Sequence, residues 1–351
     1  MELANLNFLC TEMTDILHIR FLTRLLIKAW GIIRKRKIET LRARKYLWHI
    51  EQQKARQFAP EIFEKIAVSY GIYEPVVVEG FCRLHGRKAS AAEKKRFVYY
   101  FICSSLFDYF VDDVHIPFDQ IAMLSFKPEE ATCTTFEEEV FLDAHRWLRK
   151  QVNDIQGYEI CSRALFAAQQ QSSLQFNQDL STSAVLDITF RKGGYAVQLG
   201  SYYLDEEVSE TERKIWYQLG VLIQLTNDLY DVWKDAPQQI RSSVLAVQDM
   251  HQFARIFHEK VETLWQLIKQ HPARESAKQN FLFHIAGTLS FGYIAMNQLI
   301  RLQGNQDHLP AYDSAHRKDW IIDMEKIENL KLWLKTTRKL YYQGLEKINY
   351  H

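Results

Sequence analysis

The chain is poor in the two residues that most often interrupt secondary structure. Its 351 residues include only 13 glycines and 7 prolines, and these are the residues that punctuate turns and break helices. Long uninterrupted helices therefore fit the sequence better than a strand-rich fold with many turns. Hydrophobic residues make up 47% of the chain and charged residues 25%, which is ordinary for a globular protein and argues against disorder.

The sequence also lacks paired cysteines, a large net charge and long apolar runs. The five cysteines show no CxxC pair and no metal-ligand spacing, which argues against a disulfide framework and a zinc site. A net charge of +1 gives no electrostatic reason to expect a nucleic-acid partner. No apolar run reaches the ~18–20 residues that span a bilayer, and the N-terminus lacks the basic-then-apolar order of a signal peptide. We therefore expect a soluble, cytoplasmic protein.

Helical spacing of apolar residues continues along most of the chain, and no change of composition marks a linker. We expect one all-α domain over 1–351, a single large bundle of about ten helices around a central cavity, with a basic helical region at 1–60 packed on it. Aromatic residues reach 13%, more than a helical core needs, and suggest aromatic cavity walls. A loose connection is expected over 71–86. The predicted helices cover 14–58, 91–114, 136–152, 158–178, 183–203, 209–235, 247–270, 274–303 and 313–348.

The N-terminal helical region at 14–58 is strongly basic, and leucine, isoleucine and tryptophan recur between its charges. One interpretation is the solvated face of an outer helix. Another is contact with anionic lipid, or closure over an anionic substrate. The sequence leaves both open, and it also leaves open a homodimer. The basic residues are Arg20, Arg24, Lys28, Arg34, Lys35, Arg36, Lys37, Arg42, Arg44 and Lys45.

A first carboxylate cluster lies in FICSSLFDYFVDDVHI. Asp108 and Asp112 are four residues apart, so both project from nearly the same face of a helix, and Asp113 lies further round. Their neighbours are largely aromatic and apolar. Unpaired carboxylates beside a core are costly unless a cation or hydrogen bonds satisfy them. The alternative is that Asp112 and Asp113 simply face solvent at the helix end.

A second cluster lies in GVLIQLTNDLYDVWKD, where Asn227, Asp231 and Asp235 recur every four residues along one stripe. All three side chains offer oxygen ligands, the type that magnesium prefers, and Asp228 adds an acid at the edge. The stripe alone could be surface. Two such clusters on facing helices could hold magnesium ions that clamp a polyanion.

These motifs resemble those of the class I isoprenoid synthase superfamily, which includes terpene cyclases, prenyl diphosphate synthases and squalene/phytoene-type head-to-head synthases. The run from Asp108 to Asp112 (DYFVD) is similar to the first aspartate-rich motif, DDxxD, with Tyr109 in place of the second aspartate. NDLYDVWKD matches the second metal motif in spacing. QLTNDLYDV also resembles a run in squalene/phytoene synthases.

The resemblance implies an ionisation site for a prenyl diphosphate. Its metals, about three Mg²⁺ ions, would be held by the catalytic set Asp108, Asp112, Asn227, Asp231 and Asp235. In ITFRKGGYAV, either Arg191 or Lys192 would grip the diphosphate, and Gly193-Gly194 marks a helix break or a close approach. Aromatic side chains would stabilise the allylic cation. The candidates are Phe101, Phe107, Tyr195, Tyr230 and Phe291.

The reaction class that fits best is a terpene synthase, a carbon–oxygen lyase that turns one linear prenyl diphosphate into a hydrocarbon or alcohol. Chain-elongating relatives carry an Arg-Arg pair shortly after the first motif, and here only Lys127 follows in that stretch. A prenyl diphosphate synthase and a head-to-head synthase remain alternatives. So does a non-catalytic helical protein that binds lipid or a partner.

Overall fold

The computed structural model describes the backbone of residues 2–112 and 114–349, and the side chains of residues 19–112 and 114–348. Asp113 lies outside the described residues. Every regular element within them is helical, which confirms the all-α prediction. The helices are α1 (Glu2–Lys54), α2 (Pro60–Tyr73), α3 (Glu79–Leu84), α4 (Ala91–Asp112), α5 (Phe118–Phe126), α6 (Phe136–Arg149), α7 (Ile155–Ser172), α8 (Thr182–Gln198), α9 (Glu210–Asp235), α10 (Ser243–Val247), α11 (Met250–Gln270), α12 (Glu275–Gln303), α13 (Arg317–Trp320) and α14 (Ile327–Asn349).

Shorter helical segments connect several of these helices. A π-helical segment, Glu74–Val78, joins α2 to α3. Short 3₁₀ turns follow α7 and α8 at Ser173–Phe176 and Leu199–Tyr203, and another precedes α13 at Ser314–His316. No helix among the described residues is long and apolar enough to cross a membrane.

Several predicted boundaries are wrong. Helix α1 begins at Glu2 and not at residue 14, and α5 lies where no helix was predicted. The loose connection expected over 71–86 is wrong, because α2, the π-helical segment and α3 run through most of it. Pro75 lies inside this continuous helical run, at the start of the π-helical segment, where its missing N–H removes one backbone hydrogen bond of an α-helix. The helix expected over 313–348 begins only at Ile327, after a short turn and α13.

Side-chain caps define the starts of the helices that matter most for the cavity described below. Before α4, the Ser90 Oγ accepts from the Glu93 N–H at 3.1 Å and the Glu93 carboxylate accepts from the Ser90 N–H at 2.7 Å, a reciprocal capping box. Ser181 and Ser209 cap α8 and α9 in the simpler way, each hydroxyl accepting a backbone N–H from the first turn at 3.2 Å. Local sequence thus fixes where these helices enter the bundle.

A buried ionic network ties α1 to α4 next to the π-helical segment. The Lys94 ammonium lies 2.8 Å from carboxylate oxygens of both Glu39 and Glu74. Tyr70 donates its hydroxyl proton to Glu39 at 2.9 Å. Glu74 therefore shares the Lys94 cation with another carboxylate, and burial raises the pKa of Glu74 to about 7.

This raised pKa predicts a specific pH dependence of stability. Between pH ~4.5 and ~7 the folded chain binds more protons at Glu74 than the unfolded chain does, so the free energy of unfolding contributed by Glu74 falls as the pH rises. Glu74→Gln should remove that loss and stabilise the protein at pH 8 by up to ~3 kcal/mol relative to its effect at pH 4. Urea unfolding at the two pH values measures the difference.

The matched control is Glu79→Gln. Glu79 is also buried, but it has two cations of its own, Lys35 at 2.7 Å and Arg83 at 3.7 Å. Its neutralisation should destabilise the protein at pH 8, because two cations lose their partner. Equal effects of the two substitutions at pH 8 would contradict the account of Glu74.

Candidate functional site

A cavity of about 370 Å³ lies among α2, α4, α7, α8 and α9. Its apolar part is deep: Phe97, Tyr203 and Trp216 line it and are at most 3% exposed. Six side chains that carry a carboxylate, an ammonium or an amide also line the cavity, each of them half-buried or exposed, and we call them the polar cluster. They are Lys65, Asp108, Gln169, Lys192, Gln224 and Asn227.

Asp108 enters the cavity from α4 and has cationic and amide partners. Gln169 on α7 donates to its carboxylate at 3.2 Å, and the Lys65 ammonium on α2 lies 3.7 Å away. Burial raises the pKa of Asp108 above its usual value, while the charges of Lys192 and Lys65 oppose that shift. Other lining side chains thus surround a carboxylate that is one-third exposed.

Lys192 on α8 reaches the same cavity, whereas its neighbour Arg191 does not line it. Among the described residues no carboxylate lies within 4.0 Å of the Lys192 ammonium, although its charge acts on both Asp108 and Asp228. Arg191 instead pairs with Asp187 at 2.6 Å on its own helix and donates to Gln171. Of the two basic residues, only Lys192 offers an uncommitted charge to the cavity.

Asn227 approaches from α9, and Tyr73 links it to the opposite wall. The Asn227 side chain acts on the Tyr73 hydroxyl at the end of α2, where it opposes the effect of burial on the pKa of that hydroxyl. Burial raises the pKa of that hydroxyl to about 12, so Tyr73 stays protonated at neutral pH. The first and second sequence motifs are thus brought to one cavity through Asp108 and Asn227.

A very close packing of α8 on α9 sets the position of Lys192 relative to Asn227. A Cβ added at Gly193 would lie 2.7 Å from the Gly220 carbonyl oxygen and 2.3 Å from the Cβ of Gln224. A Cβ at Gly220 would lie 2.2 Å from the Gly193 carbonyl oxygen. The helix continues through the glycine pair, so the glycines provide close approach and no break.

The rest of the second motif lies along α9 beside the cavity and does not line it. Asp231 pairs with Lys234 on its own helix. Asp228 is buried and accepts from the Ser243 N–H at 3.1 Å and from Gln224 at 2.8 Å. Burial and the charge of Asp228, with a smaller contribution from Asp231, raise the pKa of Asp235 to about 7. Asp228 therefore anchors the start of α10, and a concentration of negative charge extends along α9.

The remaining predicted site residues are Asp112 and the aromatic candidates, of which some line the cavity and others do not. Asp112 is exposed at the end of α4. Phe101 and Phe107 line the cavity, and Phe107 packs edge-on against Phe166 at 5.7 Å. Three aromatic candidates lie outside the lining. They are Tyr195, which packs on Tyr217, Tyr230, whose hydroxyl is buried without a hydrogen-bond partner in the described structure, and Phe291, which stacks on Trp333.

Sequence reasoning missed Lys65, Tyr73 and Gln169. Lys65 and Tyr73 belong to α2, where no motif marks them. Gln169 lies on the side of α7 that faces Asp108. Gln224 had a visible signal, because it is the one polar residue in the apolar run 221–225. An amide side chain in an otherwise apolar stretch of helix is a candidate to hydrogen-bond a polar partner.

The donor chemistry can be compared with what a magnesium ion needs. Carboxylate and amide oxygens suit Mg²⁺, which takes few protein ligands and keeps several waters. Asp108 and Asn227 supply such oxygens at the cavity, and the acids of α9 continue beside it. However, no three His, Cys, Asp or Glu side chains of the described chain converge as a metal shell. These oxygen donors are of the type that Mg²⁺ binds, but in the described residues they are too far apart to form a complete coordination shell.

The chain matches no protein-family model and no curated protein. The geometry of the cavity therefore carries the functional argument.

The close approach of α8 and α9 predicts opposite effects for two glycine substitutions. Gly193→Ala should destabilise the protein by ~1–3 kcal/mol, because its Cβ must displace backbone of α9. Gly31→Ala in α1 has nothing within 4 Å of its new Cβ and should stabilise by ~0.5–1 kcal/mol through helix propensity. Urea unfolding of both variants measures this. A neutral or stabilising effect of Gly193→Ala would show that the two helices are not in contact at this point.

Proposed function

We propose that the chain is a magnesium-dependent class I terpene synthase, which ionises a linear allylic prenyl diphosphate and releases a terpene hydrocarbon or alcohol. One observation carries the proposal. A single cavity joins a polar cluster, with two cations and an acid from the first motif, to a deep aromatic part. This distribution suits a substrate with a polyanionic head and an apolar tail.

The polar cluster supplies the groups that would hold the diphosphate. The Lys192 ammonium has no competing carboxylate within 4.0 Å among the described residues, and Lys65 lies near Asp108 at the same wall. Charge-assisted hydrogen bonds from ammonium groups to phosphate oxygens are about twice as strong as neutral ones. Gln169 and Gln224 add amide donors. The head of the substrate would thus be oriented by groups from α2, α7, α8 and α9.

Magnesium ions would be held by Asp108 with Asp112, and by Asn227 with Asp231 and Asp235. When bound, such ions neutralise the charge of a diphosphate and make it a better leaving group. Burial, and after it the negative charges of Asp228 and Asp231, raise the pKa of Asp235, and a bound dication would offset those charges. In this proposal the acids and Lys192 act on the same diphosphate from two sides.

The apolar part of the cavity would hold the prenyl chain and protect the allylic cation. A volume of about 370 Å³ is within the range of ligand pockets, which begins at ~300 Å³. Phe101, Phe107 and Tyr100 present aromatic rings there. Ring faces stabilise a cation by ~2 kcal/mol or more where water is absent. Walls this apolar also exclude the water that would quench it.

The two adjacent basic residues of α8 provide a matched test of diphosphate binding. Lys192→Met should weaken pyrophosphate binding in the presence of Mg²⁺ by at least about tenfold, because a charge-assisted hydrogen bond contributes ~1.5–3 kcal/mol. Arg191→Met should bind normally, since its guanidinium pairs with Asp187 outside the cavity. Calorimetric titration of both variants decides the point. Normal affinity in Lys192→Met would remove Lys192 from the proposed site.

The reaction class is tested by the substrates that the enzyme requires. An allylic prenyl diphosphate plus Mg²⁺ should suffice to release pyrophosphate and an extractable hydrocarbon or alcohol, with no need for isopentenyl diphosphate. Asn227→Ala should lower turnover at least about a hundredfold, a loss of ~2.7 kcal/mol, and Asn227→Asp should keep more activity because it retains an oxygen ligand. Product analysis with and without isopentenyl diphosphate measures this.

The contrary outcomes of that experiment are distinct. Longer prenyl diphosphates formed only with isopentenyl diphosphate would show a chain-elongating synthase. A product that joins two prenyl chains would show a head-to-head synthase. Binding of pyrophosphate without any turnover would show a helical binding protein.

A further inference from the structure

The side of α1 that faces away from the bundle is apolar as well as basic. Phe21, Leu25 and Leu47 face the bundle and are at most 5% exposed. Large apolar side chains on the opposite side stand in solvent, including two tryptophans that are at least 60% exposed. We call these side chains the outer stripe. They are Ile19, Leu26, Ile27, Trp30, Ile33, Ile38, Leu41 and Trp48.

The spacing of the outer stripe shows that it is one continuous surface. Trp30 and Trp48 are 18 residues apart, which is five full turns of an α-helix, so both project in the same direction. Leu41 lies within about 20° of them on the helical wheel. From Ile19 to Trp48 the stripe is ~44 Å long. Exposed apolar residues are ordinary when scattered, whereas a continuous patch marks an interaction surface.

Positive charge lies on the same side of the helix. Residues 19–54 contain 11 Lys and Arg against 2 Asp and Glu, while the rest of the chain has 33 against 41. Arg34, Lys37 and Lys45 are exposed beside the outer stripe, and no carboxylate of a described side chain lies within 4.0 Å of them. The Arg34 guanidinium lies 5.7 Å from the Trp30 ring. Some basic residues of α1 on the side that faces the bundle are paired instead, as Lys35 is with Glu79 and Arg42 is with Glu39.

The geometry points to an anionic lipid bilayer as the partner of this surface, with α1 lying in the plane of the headgroups. Helices that bind this way place tryptophan and aliphatic side chains at the acyl boundary and lysine and arginine among the lipid phosphates. Each basic residue near such a surface contributes ~1 kcal/mol. Tryptophan prefers the interface between headgroups and acyl chains.

A second copy of the chain fits the outer stripe less well. Lys37 lies within about 20° of Trp30 on the helical wheel, in the middle of the stripe. A dimer formed along α1 would bury Lys37 against the partner, and the two basic faces would repel each other. A lipid surface instead supplies negative charge for every one of these cations. This inference does not depend on the proposed enzymatic activity.

Vesicle flotation of the full chain tests the inference. Binding to vesicles with about one third phosphatidylglycerol should exceed binding to phosphatidylcholine vesicles at least about tenfold, and it should weaken as salt rises. Trp30→Ser with Trp48→Ser, and separately Lys37→Glu with Lys45→Glu, should each reduce binding about tenfold or more. All four side chains are exposed, so circular dichroism should show an unchanged fold.

The matched control is Phe176→Ser. Phe176 is 63% exposed, as Trp30 is, but it lies after α7 and outside the outer stripe, and its loss should leave vesicle binding unchanged. Tryptophan emission gives a second readout, because Trp30 and Trp48 are the exposed members of the eight tryptophans. Emission should shift to the blue on anionic vesicles and not in the double tryptophan variant.

Three results would overturn the inference. One is equal binding to neutral and anionic vesicles, or binding to neither. Another is wild-type binding by the double tryptophan variant, or the same loss in Phe176→Ser. The last is a dimer, seen by light scattering without vesicles, that the double tryptophan variant abolishes, which would make the outer stripe an interface between copies.

Discussion

The close packing of α8 on α9 is the constraint on which the candidate site depends. Gly193 and Gly220 bring the two backbones so near that neither position has room for a Cβ. This contact places Lys192, one residue before Gly193, on the same cavity as Asn227, which lies two turns beyond Gly220. Because protein interiors are close-packed, a small separation of these helices would move the Lys192 ammonium relative to the Asn227 amide. Gly193 and Gly220 carry no functional group, but their close contact fixes where Lys192 lies relative to Asn227.

A second constraint operates on the other side of the cavity. The shared Lys94 holds Glu39 of α1 and Glu74 of the π-helical segment, and Val77 and Val78 of that segment line the cavity. A π-helical turn is a rare local conformation that is frequent near functional sites. Here the π-helical segment begins with a buried carboxylate, Glu74, that shares the Lys94 cation with Glu39. The apolar wall is therefore held in place by an ionic network whose contribution to the free energy of unfolding falls as the pH rises.

Particular residues show what the sequence could and could not predict. Helical periodicity was sufficient for α4, α8 and α9. Asp108 and Asn227, the first members of their four-residue series, line the cavity, whereas the later members of both series do not. The spacing did not distinguish Asp228, which the fold uses to anchor α10, from ligands of a cation. Lys65 and Tyr73 could not be found, because they reach the cavity only through the packing of α2 on α4, a contact between residues distant in sequence.

The same reasoning explains the aromatic residues. Tyr195 and Tyr230 lie near the motifs in sequence, yet neither lines the cavity. Each follows a lining residue, Lys192 or Asn227, by three positions and is turned from it by about 60° around the helix. Phe101 and Phe107 do line the cavity. The aromatic content of the sequence indicated that a cavity would have aromatic walls. Which rings form those walls depends on how the helices pack.

The central claim is that one cavity receives both the diphosphate and the prenyl chain. The most direct measurement is a crystal structure with a non-ionisable prenyl thiodiphosphate and Mn²⁺ in place of Mg²⁺, with anomalous scattering locating the metal. We predict the diphosphate against Lys192, manganese beside Asp108 and Asn227, and the prenyl chain between Phe101 and Trp216. A ligand bound outside this cavity, or metal bound away from both Asp108 and Asn227, would contradict the account.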